Sequence, residues 1–193
     1  GGDMQNMNWP ELAMQTITAP ERAAEQVIDL PVSNQGLLYG LIALSALNGI
    51  YFGLNPDAAV LLGPLSNMTI LLAVAHGVLT YAFAWVSHVI AGVFGAKRGG
   101  LWDVLKLLIW LKAVNLLVQV SVTLAGFVLP LTALGFMSIG ILLYSLYILS
   151  VFYEKCFGFE SVWMGFATYI VASLGVAMII LIFIIALGGG ARV

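Results

Sequence analysis

Apolar residues run through this chain in five long stretches, each interrupted by only a few polar positions. They predict helices over about 36–54, 68–94, 101–129, 132–152 and 162–187; the apolar part of the third runs from Leu107 to Val128. A bilayer crossing needs about 20 mainly apolar residues at 1.5 Å rise each. All five meet that length, and the second and fifth exceed a straight crossing, so they tilt or project beyond the hydrocarbon. The segments of about 10 alternating residues that mark a transmembrane β-barrel do not occur. The expected fold is therefore an all-α integral membrane protein with five transmembrane helices, covering residues 36–193.

Residues 1–35 are patterned differently. Thr18-Ala-Pro-Glu21 reads as a helix start, with Thr18 as cap, Pro20 in the first turn and Glu21 at the capping-box position. Ala23, Ala24, Val27 and Ile28 then share one face and Arg22, Glu25, Gln26 and Asp29 the other, until Pro31 ends the helix. A weaker helix over Pro10–Ile17 precedes it, with Leu12, Ala13 and Ile17 apolar. Both are too short and too charged to span. They are expected on the membrane surface or packed beneath the bundle as a cap, in preference to serving as a partner site. With acidic residues in excess there, attraction to anionic lipid contributes little. No apolar signal-peptide core lies in this segment; Gly1–Asp3 reads as left over from expression, with Met4 or Met7 as natural start.

Polar groups inside the apolar stretches narrow the chemistry. On the third helix Lys112, Asn115, Gln119 and Thr123 recur at spacings of three, four and four, placing them on one face. Facing lipid, that stripe would cost several kcal/mol, so it should face the bundle interior or a wet cavity. Interhelical hydrogen bonding is preferred over an ion or solute path. Lys112 either snorkels toward the start of its helix or pairs with Glu154 or Glu160. On the second helix His76, Thr80 and Ser87 share a face that can meet the Gln119 stripe; a proton-handling role for His76 ranks below a simple hydrogen bond. His88 lies on another face, so the two histidines cannot ligate one metal. Asn48 is expected to bond across the bundle from the first helix. Gly36/Gly40 and Gly49/Gly53 mark weak sites of close helix approach.

Composition agrees with a membrane address: 62% of residues are hydrophobic and 8% charged, against roughly a half and a quarter in soluble domains. The net charge of −2 and the lack of a Lys/Arg cluster argue against nucleic-acid binding. One cysteine, Cys156, excludes an intrachain disulfide and reads as a small apolar residue near the interface. Arg22, Lys97, Arg98, Lys106 and Lys155 fall on the side reached by alternate loops, and Arg192 alone falls on the other. The positive-inside rule then gives an N-in, C-out arrangement, with Lys97, Arg98, Asp103, Lys106, Glu154 and Glu160 as candidate cytoplasmic-face residues. No paired carboxylates, nucleophile–base order, metal-ligand spacing or phosphate-binding glycine loop is visible, so no catalytic or metal residue is assigned.

Two stretches carry a resemblance. One runs from Val86 to Leu111, through Phe94-Gly-Ala-Lys-Arg-Gly-Gly100, Asp103 and the Trp110-Leu111 pair, and continues to Gln119. The other is Phe152-Tyr-Glu-Lys-Cys-Phe-Gly-Phe-Glu-Ser161. With Thr18-Ala-Pro-Glu-Arg-Ala-Ala24, they resemble the bacterial, alphaproteobacterial-type branch of the Yip1 domain family, over roughly Leu12 to Leu187. The resemblance implies a five-helix, N-in/C-out membrane domain. Eukaryotic members look like trafficking factors that recruit small GTPases. This chain lacks their long cytosolic N-terminal region and their Asp-Leu-x-Gly-Pro motif (Gly63-Pro64 falls after the first helix), so GTPase binding is not carried over.

The expected function is a non-enzymatic accessory, scaffold or assembly factor in the bacterial inner membrane, possessing a protein partner or self-associating, within a larger complex. The alternative is a small ion or solute transporter or channel built on His76, Lys112, Asn115 and Gln119. No cofactor is expected; membrane lipids are partners and a bound lipid is left open.

Overall fold

The computed structural model describes residues 7–54, 63 and 68–189, and within them every regular element is a helix. Asp3, Met4, Pro64 and Arg192, which entered the sequence reading, lie outside the described residues. The elements are α1 (Trp9–Thr18), α2 (Pro20–Ile28), α3 (Asn34–Leu54), α4 (Thr69–Val93), α5 (Leu101–Ala125), α6 (Leu131–Phe157) and α7 (Val162–Gly189). The five helices α3 to α7 are long and apolar enough to cross a membrane. The fourth stretch extends five residues past its expected end at Phe152, because Tyr153–Phe157 continue the helix until Gly158 turns it in a left-handed C-cap (φ 66°). The third ends at Ala125, four residues early, where Gly126 begins the turn to Pro130.

Thr18 does not cap α2. Its hydroxyl donates back to the Met14 carbonyl, and Ala19 is the residue that precedes Pro20. Asn8, not singled out in the sequence, caps α1 by accepting from the Glu11 N–H. Both short helices bury one face: Leu12 and Thr16 on α1, and Ala23, Ala24 and Val27 on α2.

The start of α3, the end of α4, the start of α5, the end of α6 and the start of α7 gather with α1 and α2 at one end of the bundle, the near end. The core sits there. Val104, Leu105, Leu107 and Leu108 from α5 and Phe152, Tyr153, Cys156 and Phe157 from α6 close around Ala23, Ala24, Val27 and Leu30. At the far end the helices present large apolar side chains outward, with Phe127 84% and Leu131 88% exposed. In water such a surface would drive association; against hydrocarbon it is matched to its solvent. Gly49 marks the tightest approach of α3 to α4, since a Cβ there would stand 2.7 Å from the Thr69 carbonyl oxygen.

Candidate functional site

At the near end, charged side chains tie backbone to backbone. The Lys106 ammonium donates to the carbonyls of Ile28 (2.7 Å) and Leu30 (2.9 Å), carbonyls at and just past the end of α2 that have no helical partner of their own. The N–H groups of Lys97 and Arg98 reach the Phe157 carbonyl, and the Arg98 guanidinium donates to the Lys155 carbonyl at 2.8 Å, so the α4–α5 loop closes the C-terminus of α6. Asp103 accepts from the Gly100 N–H at 2.9 Å and caps its own helix. Lys97 meets Glu160 at 2.6 Å, and that hydrogen bond and charge hold the Glu160 carboxyl below the usual carboxylate range. Lys155 pairs with Glu25 at 3.9 Å. Glu154 contributes its carbonyl, to the N–H groups of Gly158 and Phe159, while its carboxylate has no partner among the described residues. These groups satisfy helix ends.

The membrane-spanning polar groups separate into three levels. Near the packed end, Ser87 of α4 and Tyr153 of α6 share a buried 2.7 Å hydrogen bond. Further in, Ser45 Oγ lies 3.2 Å from His76 Nδ1, and Lys112 Nζ lies 3.5 Å from His76 Nε2. Ser45 stands about 16 Å along α3 from its near end and Lys112 about 16 Å along α5, at 1.5 Å per residue, so both occupy one depth. Toward the far end, Tyr51 and Thr123 join α3 to α5 at 3.1 Å. An ammonium on Lys112 donates to Nε2 when the His76 proton sits on Nδ1, and that N–H then donates to Ser45. The three groups form a line across α3, α4 and α5 that a proton can occupy or traverse.

Several sequence expectations fall differently here. Lys112 neither snorkels nor pairs with Glu154 or Glu160; it meets His76, and no carboxylate among the described residues is within ion-pair distance of it. Asn48 does not bond across the bundle but donates to Leu44 O of its own helix at 3.1 Å. Thr80 likewise donates to His76 O, so it does not meet the α5 stripe. Ser87 reaches Tyr153 instead of Gln119. The side chains of Asn115 and Gln119 make no hydrogen bond with a described residue, and Asn115 is exposed. His88 stays apart from the line, three turns along α4 from His76. Ser45, Tyr51 and Tyr153 complete the polar levels, and none of them was expected as part of the polar network. A Ser three residues before Asn48 was the available signal for the first; isolated tyrosines near helix ends read as interface anchors.

Two hollows adjoin the bundle. A groove of about 520 Å³ lies between α5 and α6 with α1 across it, lined by apolar residues that include Ala13, Ile17, Val118 and Ile141. A recess of about 200 Å³ is lined by Ala19, Pro20, Glu21, Arg22 and Tyr147. No group of three His, Cys, Asp or Glu residues that could hold a metal ion occurs among the described residues. Comparison with family models, curated proteins and solved structures yields no match to this chain.

Proposed function

We propose that this chain is a non-enzymatic accessory or assembly subunit of a bacterial inner membrane, a Yip1-type domain with its N-terminus in the cytoplasm and its C-terminus outside. The order of motifs from Thr18 to Ser161 supports the family reading. The gathering of Arg22, Lys97, Arg98, Lys106 and Lys155 at the near end supports the orientation.

One observation carries the partner. Asn115 lies within a helix long enough to cross the bilayer, is exposed, and leaves its amide unpaired among the described residues. Hydrocarbon cannot satisfy an amide, and such a group in lipid loses roughly 1–3 kcal/mol or more unless another protein bonds it. A neighbouring transmembrane helix, from another subunit or a second copy, supplies that bond. A photo-crosslinking residue placed at position 115 in native membranes should then give one discrete protein adduct. A monomer that crosslinks only to lipid would end this reading.

The Ser45–His76–Lys112 line favours a second reading, a small ion or solute transporter. It predicts flux in proteoliposomes that His76→Leu abolishes; sealed, inactive vesicles containing folded protein would dismiss it.

A further inference from the structure

We propose that the groove between α1, α5 and α6, together with the recess beside it, is a binding site for one zwitterionic phospholipid bearing a primary ammonium, of the phosphatidylethanolamine type. The inference requires the bilayer but not the accessory role.

The groove follows α5 from Val114 to Ala125, about 16 Å at 1.5 Å per residue. One leaflet contributes roughly 15 Å, half of a hydrocarbon core of about 30 Å. The match in length is to one acyl chain lying along the bundle. Its walls are apolar throughout, and Ser121, the sole hydroxyl in them, is already spent on the Leu117 carbonyl. Nothing in that lining would hold water.

The recess meets the groove at the α1–α2 junction. Ile17 lines one and Ala19 the other, two residues apart. On α6, Ile141 lines the groove and Tyr147 the recess, about 9 Å nearer the packed end. Tyr144 stands between them, donating its hydroxyl to the Ile17 carbonyl and stacking on Tyr147 at 5.9 Å, which fixes the step from one hollow to the other. A headgroup therefore sits where the short helices sit, and its tail runs down the groove.

Charge selects the headgroup. The recess carries one cation and one anion, Arg22 and Glu21, and neither has an ion-pair partner among the described residues. Arg22 complements the phosphate diester and Glu21 the ammonium. An anionic headgroup would leave Glu21 opposed, consistent with the net acidity of residues 1–35.

The test uses full-length protein in maltoside micelles holding equal amounts of phosphatidylethanolamine and phosphatidylglycerol, read by native mass spectrometry. One phosphatidylethanolamine per chain is expected. Val118→Trp fills the groove and should lower its occupancy about tenfold, the burial of roughly two methylenes; Leu143→Trp, on the exposed face, should not. Arg22→Gln and Glu21→Gln are exposed changes that leave the fold intact and should erase the preference between the two lipids. Equal retention of both lipids by the unaltered protein, retention by folded Val118→Trp, or no retained lipid at all would each overturn the proposal.

Discussion

Lys106→Met isolates the tie that holds the N-terminal helices to the bundle. The substitution keeps most of the apolar stem and removes the ammonium, so packing along the side chain survives while the Ile28 carbonyl loses the ammonium donor and the Leu30 carbonyl keeps only the Val32 N–H. A hydrogen bond from a charged group contributes about 1.5–3 kcal/mol. The positive charge at the C-terminus of α2 adds about 0.3–1 kcal/mol. The two bonds share one ammonium, and water can reach part of the site, so the sum is not additive; about 2 kcal/mol is the expected loss. Docking of α2 otherwise rests on Ala23, Ala24, Val27 and Ile28, the adjoining Leu30, and the Lys155–Glu25 pair. A loss of that size raises the undocked population roughly 30-fold, at 1.36 kcal/mol per factor of ten. Hydrogen exchange in micelles reads it directly: α2 amides should exchange about 30-fold faster, with α4 to α7 unchanged. Unchanged exchange in α2, or uniform acceleration across every helix, would refute the assignment of Lys106 as a local clamp.

Other changes probe other contacts. Gly165→Ala should separate α6 from α7, because its Cβ would overlap the Ser150 carbonyl oxygen and lie 3.0 Å from Glu154 N; a cost of about 1–3 kcal/mol is expected in thermal unfolding. Gly99→Ala combines a left-handed φ of 89° with a Cβ 2.7 Å from the Cys156 carbonyl oxygen, so it should destabilise by a similar amount, seen as faster exchange at residues 94–100. Ser87→Ala leaves the buried Tyr153 hydroxyl unpaired and should lower stability by about 1–3 kcal/mol, with Tyr153→Phe in the same background restoring part of it. The Glu160 carboxyl is depressed in the fold, so its pair with Lys97 contributes above the ordinary value of 4.5 and is lost as pH falls through the lower folded value. Exchange in the 158–161 loop should rise on that acid limb, and Glu160→Gln should flatten the dependence.

The long elements were legible because hydrophobic run length is a strong and local signal; each of the five apolar stretches became a helix. Their ends were less so. Tyr153–Phe157 carries Glu154 and Lys155, which read as a loop by charge, yet their neighbours Phe152, Tyr153 and Cys156 are needed by a core that includes α2. Of the partners expected for the polar stripe on α5, His76 was read correctly and Thr80 and Ser87 were not, because a shared face does not say which side chain lies opposite. Lys112 found His76 at its own depth, whereas Glu160 lies in the α6–α7 loop and is held by Lys97. Asn48 and Thr80 turned to carbonyls one turn back in their own helices, an option always open to short polar side chains and invisible to spacing.

Burial is lopsided in a way that bears on association. The near end is packed like a soluble core, while the far half exposes Phe136, Leu142, Leu143 and the run from Ile179 to Ile185. Lipid covers those side chains without loss, so apolar exposure alone calls for no protein. Asn115 differs, because no acyl chain can bond its amide. Asn115→Leu turns that contrast into a question of sign. For a residue facing hydrocarbon in the isolated chain, the change should stabilise the detergent-solubilised monomer, by on the order of 1 kcal/mol in thermal unfolding. It should at the same time weaken the partner's retention on purification from native membranes by roughly threefold to thirtyfold, since interhelical bonds of this kind contribute about 0.6 kcal/mol on average and up to roughly 2. A destabilised monomer that keeps its partner would mean that the amide serves the chain's own interior, and the partner assigned to this face would then have to be given up.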